Sequence, residues 1–118
     1  MKQRIKKFGL LCILVAVIFV SCNQEEKTGD LIVYVEDING NPIVNETVYL
    51  YLNEADFNNV IFSDSEVTNS QGRVEFKFLD PGVHYVDCDF NNAAGGVTTV
   101  TGSGSVSAGF ETTITINP

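Results

Sequence analysis

From Asp30 onward, apolar residues recur at every second position in one short run after another, and each run is broken by residues that turn a chain. Leu31, Val33 and Val35 alternate in this way, as do Val48, Leu50 and Leu52, then Val74, Phe76 and Phe78, then Val86, Cys88 and Phe90, and finally Phe110, Ile114 and Ile116. A two-residue period places these side chains on one face of a strand, and no segment carries a convincing helical period. Asn39-Gly40-Asn41-Pro42, Gln71-Gly72, Asp80-Pro81-Gly82, Asn91 to Gly96, and Gly102 to Ser105 punctuate the runs. Val60 to Thr68 and Val97 to Thr101 supply further strands, and Asn53 to Asn59 reads as an ambiguous loop. Turns recurring about every ten residues from Gly72, with about seven strands in all, predict one all-β sandwich over residues 30–118.

The first two runs read as a hairpin-like pair, because the Gly-Asn-Pro break between them reverses the chain. Setting Val33 opposite Leu50 also sets Val35 opposite Val48 and Leu31 opposite Leu52, which gathers the aliphatic residues on one face. Tyr34 then faces Tyr49 and Ile32 faces Tyr51. Ile32, Tyr34, Tyr49 and Tyr51 are therefore expected as one outward patch, suited to stacking on a sugar or docking a protein.

The start of the chain has a different character. Lys2, Arg4, Lys6 and Lys7 precede an uncharged, mostly apolar stretch from Phe8 to Val20, and Ser21-Cys22 closes it. As a helix this stretch covers about 20 Å, short of a hydrocarbon core of about 30 Å. The arrangement resembles a bacterial lipoprotein signal peptide, although Phe19 stands where leucine is common, and a plain secretory signal is the rival reading. The resemblance implies export, cleavage of residues 1–21 and acylation of Cys22; Cys12 does not fit, since Leu11 before it is not small. Residues 22–29 would form the lipidated start and a polar tether. Asn23, Gln24, Glu25, Glu26 and Lys27 resemble the acidic tether that sends some Bacteroidetes-type lipoproteins to the outer face of the outer membrane.

Without the leader, three cations, Lys27, Arg73 and Lys77, stand against all fifteen acidic residues, a net charge of −12. Such a surface repels nucleic acid and anionic lipid, so neither is an expected partner. Cys88 is left as a lone thiol on an alternating strand, where a small buried apolar role fits better than a nucleophilic one.

Leu31 to Asp37, Asn39-Gly40-Asn41-Pro42, Val48-Tyr49-Leu50, Thr68-Asn69-Ser70-Gln71-Gly72-Arg73-Val74-Glu75-Phe76 and Leu79-Asp80-Pro81-Gly82 together resemble the carboxypeptidase-regulatory-like, transthyretin-like domains and the collagen-adhesin B-type repeats. The resemblance spans most of Asp30 to Pro118 and implies an immunoglobulin-like or transthyretin-like sandwich. Its motifs are turn motifs and say little about function. The family commonly has tyrosine two residues after the Pro-Gly, where this chain has His84, with Tyr85 next. Adhesin repeats often carry a lysine-asparagine isopeptide bond, but the first strand here has no lysine, Lys77 is expected outward beside Glu75, and Asn117 is then a terminal polar residue.

Chemistry-bearing residues are sparse. His84 is the single histidine, and no serine or cysteine has an activating partner, so no enzyme is expected. Zinc lacks ligands, and Gly102-Ser103-Gly104 lacks the helix of a phosphate loop. Asp37, Asn39 and Asn41 begin like a helix-loop-helix calcium site, but Gly40 comes early and Val48 occupies the position of the bidentate glutamate. Asp87 and Asp89 point the same way from one strand and, with Asn91 or Asn92, form a weak calcium candidate; no cofactor is otherwise expected. These readings converge on a non-catalytic, membrane-anchored surface module that binds a glycan or protein. The alternatives are an envelope or pilus-like assembly subunit, with Phe110 to Asn117 as an exchanged strand, and an accessory factor for a separate surface enzyme.

Overall fold

The computed structural model describes residues 27–118, so the leader, Cys22 and most of the tether lie outside the described residues. Seven strands and one short helix follow in the order β1 (Gly29–Val35), β2 (Thr47–Tyr51), α1 (Glu54–Asn58), β3 (Asp64–Val67), β4 (Arg73–Leu79), β5 (Gly82–Asn91), β6 (Val97–Val106) and β7 (Glu111–Ile116). They build two sheets, β4-β1-β7 and β3-β2-β5-β6. Every pairing is antiparallel except β1 with β7, which runs parallel. Among the described residues no helix is long and apolar enough to cross a membrane.

The period-two residues form the core between the sheets. Leu31, Val33, Val35, Val74, Phe76 and Ile116 come from one sheet, and Val48, Leu50, Val86, Cys88, Phe90, Val100 and Val106 from the other. Burying apolar area of this kind contributes about 25 cal/mol per Å², which makes the alternating faces the main source of cohesion.

Several sequence expectations need correction. β1 and β2 are not a hairpin pair: they belong to opposite sheets, and the only ladder contact near their connection is the isolated bridge Glu36–Pro42. The turn does form, with Gly40 at φ 83° and the Asp37 carboxylate accepting from the Asn39 and Asn41 amides at 2.8 and 2.9 Å. The loop then continues past Ile43, whose amide donates to Val35, and past Asn45 at φ 62°, whose amide donates to Thr68. It delivers β2 to the other layer. The two aliphatic faces meet across the core and not side by side, an arrangement that the same alternation satisfies equally well.

Phe78 was expected inward with Val74 and Phe76. The β1–β4 register shifts between Gly29 and Leu31, Phe78 adopts φ 59°, and its side chain is 79% exposed, while Leu79 packs against the core. Phe110, expected inward with Ile114 and Ile116, precedes β7 and is 70% exposed. Leu52, expected inward, lies just beyond the end of β2 and is likewise exposed.

Gly102 and Gly104, expected in a turn, lie inside the single strand β6. A Cβ on Gly102 would approach Ile116 Cγ2 to 2.5 Å, and one on Gly104 would approach Leu31 Cδ1 to 2.8 Å. Glycine serves close sheet approach here, with β6 pressed onto β7 where the two layers converge. The ambiguous loop after β2 contains α1, whose Asn53 cap accepts from the Asp56 amide at 2.8 Å.

Candidate functional site

The outward face of the four-stranded sheet carries Tyr49 and Tyr51 from β2 and Tyr85, Asp87 and Asp89 from β5. Tyr49 stands opposite Asp87 in the ladder, and Tyr51 opposite Tyr85. The chain between β2 and β3 folds back over this face. Phe57 of α1 meets Tyr51 edge-on, with centroids 5.2 Å apart, and tilts over Tyr85 at 5.6 Å. Phe62 tilts against Tyr49 at 4.8 Å. Contacts at these separations add to the area that the rings bury.

One side of the face remains open. Tyr49, Tyr51, Val60, Phe62, Asp87 and Asp89 line a hollow of about 300 Å³. Val60 is 72% exposed and sits at φ 58°, a left-handed conformation that costs a β-branched residue about 1–3 kcal/mol.

The polar groups are organised by their surroundings. The Tyr51 phenol donates to both oxygens of Asp87, at 3.2 and 3.1 Å. Burial, then the Asp87 charge, pushes the phenol up to about 12. Burial also raises the Asp87 carboxyl above its usual value; the Tyr51 hydrogen bond opposes this, and the nearby Asp89 charge adds to it. Asp89 accepts from the Thr99 hydroxyl. Ion pairs among the described residues join Glu75 to Arg73 at 3.4 Å and to Lys77 at 3.8 Å, which leaves Asp87 and Asp89 without a cation partner. Exposed ring edges beside carboxylates with spare acceptor capacity suit a neutral ligand rich in hydroxyl groups.

The expected four-residue patch is divided by the sandwich. Ile32 and Tyr34 lie on β1 in the other sheet, and Ile32 is only 4% exposed. Tyr49 and Tyr51 share the site, but Tyr51 is 1% exposed, so it positions Asp87 and offers no free ring face. Asp87 and Asp89 do project together, whereas Asn92 is committed elsewhere: its Oδ1 accepts from the Ala94 and Gly96 amides, and its amide donates to Thr98. The calcium arrangement through Asn92 is therefore not assembled. Phe57 falls in the stretch read as an ambiguous loop, and Val60 and Phe62 in the stretch expected as strand from Val60 to Thr68; the strand β3 begins only at Asp64, so these residues precede it and fold over the sheet face.

Other chemistry-bearing groups lie apart from the hollow. Cys88 is fully buried, and burial first, then the charges of Glu46, Asp89 and Asp87, pushes its thiol up to about 12. His84 points into the protein, its Nε2 2.8 Å from the Asp80 carbonyl, with Nδ1 buried and unpartnered. A second hollow of about 330 Å³ lies among the loops at the opposite end from Thr28 and includes Asp37, Ile38, Asn39, Phe90 and Asn92. Its best acceptors, Asp37 and Asn92, are occupied in their own turns. Asp30, Glu75 and Glu111 bring carboxylate oxygens within 4.8 Å of one another. β7, the expected exchanged strand, is at the edge of its sheet, and its Thr112 hydroxyl donates to the Ser105 carbonyl of β6 at 2.8 Å.

No family model matches the chain, and no curated protein sequence matches it significantly. Solved structures do. A Pseudomonas aeruginosa protein proposed to bind carbohydrate superposes with a TM-score of 0.57 at 14% identity, over 80% of this chain and 90% of that one. The Bacillus anthracis TIE protein gives 0.59 at 15% identity, over 77% of this chain but 16% of its own length. BcpA, the major pilin subunit of Bacillus cereus, gives 0.48 at 16% identity, over 77% of this chain and 30% of that one. The fold is an immunoglobulin-like β-sandwich. The likeness is one of fold alone.

Proposed function

We propose that this protein is an exported, lipid-anchored, non-catalytic binding module whose hollow on the four-stranded sheet takes a glycan. The observation that carries the reading is the pairing of Tyr49 and Phe62 with the uncompensated carboxylates of Asp87 and Asp89 around one opening. Aromatic surface packs against the C–H faces of a sugar, and carboxylates accept from its hydroxyls. A buried, unreactive Cys88 and an inward His84 favour binding over catalysis. The neighbour proposed to bind carbohydrate shares the fold across most of both chains, which fits the reading without assigning a ligand.

The anchor reading rests on the leader and Cys22. One acyl chain binds a bilayer marginally; the three implied by the lipoprotein resemblance would hold it without practical release, at about 0.8 kcal/mol per buried methylene. An outer-membrane, exterior-facing position follows from the acidic tether and suits a glycan binder.

Titration calorimetry against a panel of cell-surface polysaccharides tests the binding role. A binding polysaccharide should lose about tenfold in affinity with Tyr49→Ala, equivalent to about 1.4 kcal/mol, while the thermal transition is retained. Equal affinity in the folded variant, or no binding across the panel, contradicts the glycan reading.

A further inference from the structure

Two large residues that alternation places inside the sandwich stand outside it, and both do so at the same end. Phe78 and Phe110 flank the first residues of β1 and line one shallow hollow with Thr28, Gly29, Asp30, Gly109 and Glu111. Asp30 ties them together: its side chain accepts from the Phe78 amide at 3.1 Å, and its own amide donates to the Phe110 carbonyl at 3.0 Å. Phe78 is held outward at φ 59°, a conformation that a bulky residue rarely adopts. Val83, near the start of β5 at this same end, is half-exposed as well.

The chain enters the domain here. The Thr28 carbonyl accepts from the Gly109 amide at 2.9 Å, one residue before Phe110. From Cys22 to Thr28 there are six residue steps, which reach at most about 20 Å when fully extended. A lipid on Cys22 therefore brings this end of the sandwich within reach of the bilayer surface. Lys27 and Lys77, two of the three cations after the leader, are also at this end. The nearby Asp30 and Glu111 make a strongly anionic surface unfavourable and leave zwitterionic head groups as the matching chemistry.

We propose that Phe78 and Phe110 form a membrane-docking rim that seats the anchor-proximal end of the sandwich in the interface of a zwitterionic bilayer. Docked this way, the long axes of the strands stand away from the membrane, and the hollow on the four-stranded sheet faces sideways, clear of the lipid. The inference rests on the anchor reading above but not on the identity of the ligand.

The chain has no tryptophan, so a single substitution gives an unambiguous optical reporter. Full-length Phe78→Trp, Phe110→Trp and Ile38→Trp proteins, the last carrying its reporter at the opposite end, are produced with the leader, weighed intact and reconstituted in phosphatidylcholine vesicles with and without brominated acyl chains. Both rim reporters should show blue-shifted emission and quenching of about twofold or more by bromine near the head-group boundary, with little quenching at position 38. Acylated protein whose rim reporters are quenched no more than the Ile38→Trp reporter overturns the docking rim and leaves the anchor standing. An unacylated Cys22 in the exported protein overturns the anchor and the rim with it. Two independent rim positions keep the test decisive if one variant fails to fold.

Discussion

Tyr51 and Asp87 sit diagonally across the β2–β5 ladder, and the tyrosine hydroxyl donates to both carboxylate oxygens, at 3.2 and 3.1 Å. The phenol lies under Phe57 and the carboxylate opens onto the hollow, so a buried group holds an accessible one in position. The pair also gives the protein a defined response to pH.

Burial lifts the Asp87 carboxyl above its ordinary 3.8, so the folded state retains a proton that the unfolded chain releases. Stability contributed by this group is greatest at low pH and falls as pH rises from about 3.8 through the folded-state value, leaving an ionised carboxylate that costs stability at neutrality. Asp87→Asn keeps an acceptor for Tyr51 and removes the charge. Scanning calorimetry at pH 7 should show a raised Tm for this variant, with weakened glycan binding, a common trade at binding sites. A lowered Tm would show that the charge stabilises the fold.

Tyr51 carries the opposite end of the pH range. Its folded-state value of about 12 exceeds the unfolded 10.0, so its contribution is intact below about pH 10 and is lost as pH rises toward 12. Absorbance at the phenolate band should show one of the four tyrosines ionising late, and Tyr51→Phe should remove that late phase. Four superimposable ionisations would refute the buried pair.

Phe78→Gly should stabilise the protein. Relief of left-handed backbone strain returns about 1–2 kcal/mol, against about 0.5–1 kcal/mol for the added freedom of glycine in the unfolded chain. A residue 79% exposed has little packing to lose. The net is a gain of up to about 1.5 kcal/mol, visible as a Tm rise of a few degrees. An inward phenylalanine would instead cost about 3–5 kcal/mol on removal, so thermal unfolding separates the two placements cleanly.

Gly102→Ala works in the other direction. The added methyl meets Ile116 Cγ2 at 2.5 Å on the inner face, which forces β6 and β7 apart. A loss of about 1–3 kcal/mol is expected in denaturant unfolding. A gain, as strand propensity alone would suggest, would mean that the two layers do not converge there.

These cases mark what the sequence disclosed. Alternation identified the inner faces of β1, β2, β4 and β5 because burial needs only the parity of a residue, and parity is local. Partnership is not local: Val33 and Leu50 contact the same core whether their strands are neighbours in one sheet or opposed in two, so the hairpin reading and the Ile32-Tyr34-Tyr49-Tyr51 patch built on it did not survive. Parity failed where the backbone breaks step, at the bulge that turns Phe78 outward and at Phe110 beyond the edge of β7. Four of the six residues that line the hollow were visible, as Tyr49, Tyr51, Asp87 and Asp89. The covering residues Phe57, Val60 and Phe62 were not: Phe57 lies in the ambiguous loop, and Val60 and Phe62 lie in a stretch expected as strand whose ladder in fact starts only at Asp64.

Backbone amide chemical-shift mapping during titration with the polysaccharide retained most strongly tests the central claim most directly. Perturbations should concentrate at Tyr49, Val60, Phe62, Asp87 and Asp89 on the four-stranded sheet and spare the loop hollow at Asn39 and Asn92. Shifts confined to that loop hollow, or spread evenly over the sandwich, would contradict it.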